Sequence, residues 1–177
     1  MTTFAHIGGG IAVAATVQHF IFKEEITPST ILVGMVIGLL PDLDSIFAFL
    51  LGKWSPGSQM LSHHRYFSHT PLFFILVSGV IWLIFDWKLA FLFFAVTMTH
   101  LLMDSWSTDD GVMWLWPISS EQFSIFRIDM HAGGIYGIQF YARYIKTPRL
   151  VLPELIIISA GAFVIIRTVV QRYFSAK

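Results

Sequence analysis

The feature that most constrains this chain is a succession of apolar runs near the length that crosses a bilayer, the third of them short, joined by polar segments of which that from Ser107 to Arg149 is long. The apolar runs extend from Phe4 to Phe22, Ile31 to Leu51, Pro71 to Phe85, Leu89 to Trp106 and about Val151 to Val170. A hydrocarbon core about 30 Å thick calls for roughly 20 helical residues, and a helix satisfies its own backbone N–H and C=O groups where no water can. The expected fold is all-α, an integral-membrane helical bundle of about five spans with residues 1–177 in a single domain. Composition agrees: 55% of the residues are hydrophobic and 12% charged, against roughly 25% charged in soluble domains. No basic stretch and cleavage site frame the first run, so it reads as a retained helix rather than a signal peptide.

Charge and cysteine content narrow the chemistry. Eleven basic and eleven acidic residues cancel, which argues against the basic footprint that nucleic acids require. With no cysteine in the chain, disulfides and thiolate metal sites are excluded, and any metal must be held by His, Asp or Glu. Neither an internal repeat nor a Gly/Ser-rich linker divides the chain.

Five crossings would sort the polar residues between two faces. With Met1 on face A, the connection near Lys23 and the turn at Trp87 fall on face B, while segments 52–70 and 107–149 return to A. His6, Asp42, Asp44, His63, His64, His69, His100 and Asp104 then collect toward A, and His19 lies near B. The count of Lys and Arg, six on A against five on B, leans to A being cytoplasmic by one residue only. Gly34 and Gly38 form a small-xxx-small face suited to close helix packing, and Gly8 to Gly10 allow another backbone near His6. The aromatic and basic segment from Gly133 to Lys146 suits an interfacial helix.

The chemistry-bearing residues stand within or beside the apolar runs. His100 and Asp104 share one helix face at i,i+4, as in helical metal sites, with Thr97 and Ser107 extending the stripe. An ionisable pair in lipid is costly and must face the bundle interior or a wet cavity. Pro41 interrupts the second run, so Asp42 and Asp44 sit inside the membrane, where carboxylates without a cation are expensive. The two lie about 200° apart on a regular helix, which favours Asp42 as direct ligand and Asp44 as its support or as ligand of a second ion. The segment Ser62 to Thr70 adds His63, His64 and His69, plus Arg65, a planar cation able to grip a phosphate. His131 and the pair Arg127 and Asp129 are open candidates for closing over the site, and Asp109-Asp110-Gly111 reads as a turn.

In order and spacing, His6, the run Leu40-Pro41-Asp42-Leu43-Asp44, the segment His64 to Thr70, and His100 to Asp104 leading to Trp116-Pro117 resemble the prokaryotic membrane-bound metal-dependent hydrolase family of YdjM type. That family is distantly similar to zinc-dependent phospholipase C. Its pattern is an N-terminal His followed by glycines, Pro-Asp-x-Asp, His-Arg-Gly-x-Thr-His-Ser, and His-x-x-x-Asp before Trp-Pro-Phe. This chain departs from it at Tyr66 for Gly, Ser68 for Thr, Thr70 for Ser and Ile118 for Phe. The hydroxyl exchanges preserve the chemistry, whereas Tyr66 alters the loop. The resemblance implies a reaction class more than a substrate.

Residues and resemblance together lead to the expectation of a multi-pass inner-membrane hydrolase. One or two divalent ions, zinc before manganese or magnesium, would be bound by His6, Asp42, His64, His69, His100 and Asp104. Asp104 would bridge, Arg65 would hold a phosphate, and Asp44 would take a proton or orient a histidine. The implied partners are the lipid bilayer and an amphiphilic phosphate-containing substrate. Two other readings use the same residues: an ion- or proton-coupled transporter, and a non-catalytic metal-binding membrane protein.

Overall fold

A computed structural model of the chain describes residues 1–44, 63–106, 111–127 and 138–175. Among these the architecture is helical, with a single isolated β-bridge between Val112 and Phe123. Helix α1 (Thr3–Thr16) continues through a π-turn, Val17–Ile21. Helix α2 (Pro28–Leu39) ends in a 3-10 turn, Leu40–Asp42. Two further 3-10 turns, His63–Arg65 and Phe67–His69, precede α3 (Pro71–Ile84). Then come α4 (Trp87–Asp104), the short α5 (Ile138–Ile145) and α6 (Pro148–Ser175).

Local chemistry sets the helix starts. Thr27 and Thr30 form a reciprocal capping box, with the Thr27 hydroxyl accepting from the Thr30 N–H at 3.2 Å and the Thr30 hydroxyl accepting from the Thr27 N–H at 3.1 Å. Pro28 and Pro71 sit in first turns, where a missing N–H costs nothing. Asp86 caps α4 by accepting from the Lys88 and Leu89 amides at 2.7 and 3.0 Å.

Three helical stretches are long and apolar enough to cross a membrane: Thr3–Ile21, Trp87–Asp104 and Pro148–Ser175. Two of the five expected crossings are shorter as described, Pro28–Asp42 and Pro71–Ile84. The first is broken at Pro41, and the rest of its expected run, 45–51, lies outside the described residues. The second has 14 residues, about 21 Å of rise, and packs along α4 instead of standing alone in lipid. Two connections expected on face B meet at one end of the bundle. There Lys88 pairs with Glu24, and the Phe22 and Trp87 rings meet edge to face at 5.4 Å, so the two expected B-side connections are neighbours.

Helix α1 is the axis of the bundle, packed by α2, α4 and α6. Its glycines decide how close those neighbours come. A Cβ on Gly10 would lie 2.2 Å from the Gly34 carbonyl oxygen, and one on Gly38 would lie 2.5 Å from that of His6. On the other side, a Cβ on Gly161 of α6 would fall 2.6 Å from the Gly8 Cα. No side chain fits these crossings, which is how backbone-to-backbone packing substitutes for a hydrophobic driving force in lipid. Between α2, α3 and α4 lies an apolar core around Ile37, Phe74, Leu92, Phe93 and Val96. The outer faces of α3 and α6 leave Leu76, Leu83, Phe163 and Ile166 exposed, as suits contact with acyl chains.

Candidate metal centre

The A end of the bundle is where the ionisable residues converge. His100 and Asp104 lie one turn apart at the end of α4, and His6 enters from the first turns of α1. The break after α2 delivers Asp42, and the two short turns before α3 deliver His64 and His69. His6, His69, His100 and Asp104 are each no more than 2% exposed, so bulk solvent does not reach them.

Asp104 is the hub. Its Oδ1 lies 3.1 Å from His6 Nε2, and its Oδ2 lies 3.0, 3.2 and 3.6 Å from the Nε2 atoms of His100, His69 and His64. His100 Nε2 is also 3.3 Å from Asp42 Oδ1. Two groups suited to hold a cation result, His6–Asp42–His100–Asp104 and His64–His69–Asp104, with the ligand atoms of each within 4.8 Å of one another. Both contain Asp104. The α-amino group of Met1 donates to its Oδ1 at 2.9 Å.

The surroundings orient the rings. His100 Nδ1 donates to the Gly38 carbonyl at 2.8 Å, which turns the lone pair of Nε2 toward the two carboxylates. That Nε2 is buried and makes no hydrogen bond, and neither does His6 Nδ1. The His6 and His100 rings stack with centroids 3.8 Å apart. His69 presents Nε2 to Asp104 and Nδ1 to Asp44 Oδ2 at 3.5 Å, and the same Asp44 oxygen accepts from the Ser68 hydroxyl at 3.0 Å. Burial disfavours a charged His69, yet its bonds to Asp104 and Asp44 outweigh this and raise its pKa above the ordinary value. A nitrogen-and-oxygen donor set with buried ring nitrogens of His6 and His100 left without a hydrogen bond fits a borderline divalent ion such as zinc.

Asp42 and Asp44 both turn toward the cluster, although a regular helix would set them on opposite sides. The 3-10 turn at Leu40–Asp42 makes this possible, and the two acids meet different histidines, His100 and His69. Thr97, expected to extend the site stripe, is buried on α4 and donates to the Phe93 carbonyl of its own helix at 2.8 Å. Arg65 stands exposed on the rim, its Nε donating to Gln122 Oε1 at 3.0 Å. Arg127, also exposed, donates to the Gln122 carbonyl. His19 is exposed in the π-turn, away from the cluster. Ser107, Asp109, Asp110, Asp129, His131 and the side chain of His63 lie outside the described residues.

One acid escaped the reading of the sequence. Glu154 of α6 is buried and accepts hydrogen bonds from the Thr2 hydroxyl and the Tyr144 phenol. Burial, then the bond to Glu154, push the Tyr144 pKa up, which keeps the phenol protonated as the donor. This carboxylate ties α5 and α6 to the residue preceding α1, four positions before His6. A charge inside an apolar run was the available signal, the same one that singled out Asp104.

The fold and the site thus define a helical membrane protein with a buried His/Asp cluster able to hold a metal ion. A family profile described as "YdjM inner membrane protein" matches residues 1–175, and the chain belongs to that family. It is also similar to inner membrane protein YbcI of Escherichia coli (strain K12), 32% identical over 109 residues. That match covers 57% of this chain and 61% of the relative, so the chain spans under two thirds of the length of the curated relative it matches. No solved structure matches. The protein is placed in the inner membrane by its family and by its three spanning helices.

Proposed function

We propose that this protein is a membrane-embedded metal-dependent hydrolase that cleaves a phosphate ester of a lipid or other amphiphile. The observation that carries the reading is the shared carboxylate: Asp104 belongs to both candidate ligand groups, so a single side chain joins two cation positions. His6, Asp42 and His100 with Asp104 would hold one ion, and His64 and His69 with Asp104 the other. Zinc suits the donors best, with manganese or magnesium as alternatives. Ions so placed, when bound, supply a nucleophilic water at neutral pH and stabilise charge developing at phosphorus.

The chain's own residues do the rest. The Gly38 carbonyl and Asp44 hold His100 and His69 in their orientations. Asp44 is 13% exposed, the right position to take a proton from water on the rim side. Arg65, beside His64 and open to solvent, is placed to grip a phosphate. The site lies at the end of three spanning helices, which favours a substrate that is itself held in the membrane. The crowding of the acids and histidines at one end supports hydrolysis over transport, since a carrier distributes such residues along its path.

The test is metal analysis of detergent-purified protein followed by phosphate release from a mixed panel of lipid phosphates, for wild type and Asp104→Asn. Wild type should carry one or two divalent ions per chain and release phosphate. The variant should lose both properties. Equal metal content and equal turnover in the variant would overturn the bridging role, and a metal-loaded wild type inert on every lipid phosphate would overturn the substrate class.

A further inference from the structure

The segment after α4 carries a second feature, separate from the ligand cluster. Residues 111–127 fold back as a hairpin held by the bridge Val112–Phe123, with N–H to O distances of 3.0 and 2.9 Å. Its base is fixed to the end of α4, where the Ile125 and Phe126 amides donate to the Ser105 and Trp106 carbonyls at 2.7 and 3.1 Å. The base also touches the start of α6: the Trp106 indole N–H donates to the Arg149 carbonyl at 3.2 Å, and the Arg149 guanidinium lies over the Phe126 ring. At the tip, Trp116 meets Phe67, which in turn meets Phe73 of α3. Hydrogen-bonded at its base and in ring contact with Phe67 at its tip, the hairpin packs against the ends of α4 and α6 and the turn before α3.

Its free surface is nevertheless apolar. Leu115, Ile118, Phe123 and Ile125 are exposed, Ile118 to 92%, and Phe67 adds to the same rim. A soluble surface seldom gathers so many large apolar groups without a partner. Two guanidinia stand among them, Arg65 and Arg127, both attached to Gln122, with Glu121 as an exposed acid on the same hairpin. Apolar bodies beside arginines, at the level where a spanning helix leaves the hydrocarbon, are the composition of a membrane-interface element.

We propose that the 111–127 hairpin is seated in the face-A leaflet of the protein's own membrane. Leu115, Ile118 and Phe123 lie against the first acyl carbons of anionic phospholipids, and Arg65 and Arg127 hold the headgroup phosphates beside His64. The hairpin adjoins the start of α3 through Phe67 and Phe73 and the start of α6 through Phe126 and Arg149, helices whose outer faces expose apolar side chains, and its occupant is the bilayer. The inference depends on the membrane placement of the helices and not on hydrolysis.

Because the chain has no cysteine, Ile118→Cys provides a unique attachment point on an exposed side chain. In phosphatidylcholine nanodiscs containing a minority of phosphatidylglycerol, a nitroxide at this position should collide freely with oxygen and little with a water-soluble nickel chelate, as a control label at Ile166→Cys should. Free access of the chelate would overturn the proposal. So would shielding from both reagents, the signature of a covering protein or a second copy. A fluorophore at the same cysteine should be quenched more by doxyl-labelled phosphatidylglycerol than by doxyl-phosphatidylcholine at equal mole fraction. The preference should vanish in Arg65→Gln/Arg127→Gln, and added inorganic phosphate should leave it intact in the otherwise unsubstituted chain. Equal quenching by both lipids would overturn the headgroup contact, and loss of the preference on adding inorganic phosphate would show that the arginines bind free phosphate instead. Because Arg65 is also the residue proposed to grip the substrate phosphate, the oxygen and nickel accessibilities at Ile118 and the effect of Arg127→Gln alone are the readouts that stand apart from hydrolysis.

Discussion

The two ends of the bundle use the same kinds of residue to opposite effect. At the B end, Lys88 and Glu24 form an ion pair with side chains 42% and 43% exposed, beside the Phe22 and Trp87 rings. At the A end, Asp104 is 1% exposed and surrounded by imidazoles that make contact through Nε2. Water screens the first pair and leaves it worth roughly 1 kcal/mol or less. Bulk water does not screen the second group, whose charge is balanced by the Met1 ammonium and by protons or bound cations. Charge at a helix end is thus ornamental where solvent reaches it and chemically committed where it does not.

The contrast can be broken most severely at Asp104. Asp104→Asn should empty both ligand groups, with bound metal falling to background by elemental analysis. A chelator should lower the melting temperature of wild type, by the equivalent of about 4 kcal/mol where free metal had stood at a thousand times Kd, and leave the variant unmoved. A wild type indifferent to chelator would remove the distinction between the ends. The next effect is steric. Gly38→Ala sets a methyl 2.5 Å from the His6 carbonyl oxygen, forcing α1 and α2 apart at an expected cost of about 1–3 kcal/mol. The shift of the carbonyl that orients His100 should weaken metal binding by about 10–100-fold. Gly79→Ala, where a Cβ meets nothing within 4 Å, is the control: it should leave metal binding unchanged and raise stability by about 0.5–1 kcal/mol through helix propensity.

Glu154 sharpens the comparison, being buried at the A end but outside the ligand groups. Glu154→Gln should destabilise by about 1.5–3 kcal/mol, the range for a hydrogen bond to a charged group, while metal stoichiometry is kept. Tyr144→Phe tests the same bond through pH. The folded-state pKa of Tyr144 lies above its ordinary value of 10.0, so the bond contributes fully below about pH 10 and is lost as pH rises toward that higher value. The stability gap between wild type and Tyr144→Phe should stay constant to about pH 10 and narrow above it. The smallest effect belongs to the B end, where Lys88→Gln should cost under about 1 kcal/mol, less still in high salt, with metal content unchanged.

Much of this was legible in one dimension because lipid punishes exceptions. An ionisable residue in an apolar run has few structural excuses, and that rule drew attention to Asp42, Asp44, His100 and Asp104, which the fold gathers within a few ångströms. It applied equally to Glu154, but next to Pro153 and far from any histidine in sequence the residue lacked a visible partner. Its partners, Thr2 and Tyr144, are 152 and 10 positions away. The opposed placement expected of Asp42 and Asp44 assumed regular helix geometry, which the 3-10 turn after Leu39 does not keep. Thr97, on the face expected, is buried with its hydroxyl donating to its own helix backbone, a bond that spacing alone does not reveal.

By itself the sequence determined the environment: apolar runs of spanning length, no thiol, balanced charge, and acids and imidazoles set where lipid would not tolerate them alone. These depend on composition and period, which survive in a linear string. Which of those groups meet was decided only by the packing of α1 against α2 and α6 through bare glycine backbone. That approach brings His6 over His100 and turns the Gly38 carbonyl toward an imidazole. Ligand geometry at this scale is set by where helices touch, and contact between distant segments is a property of three dimensions.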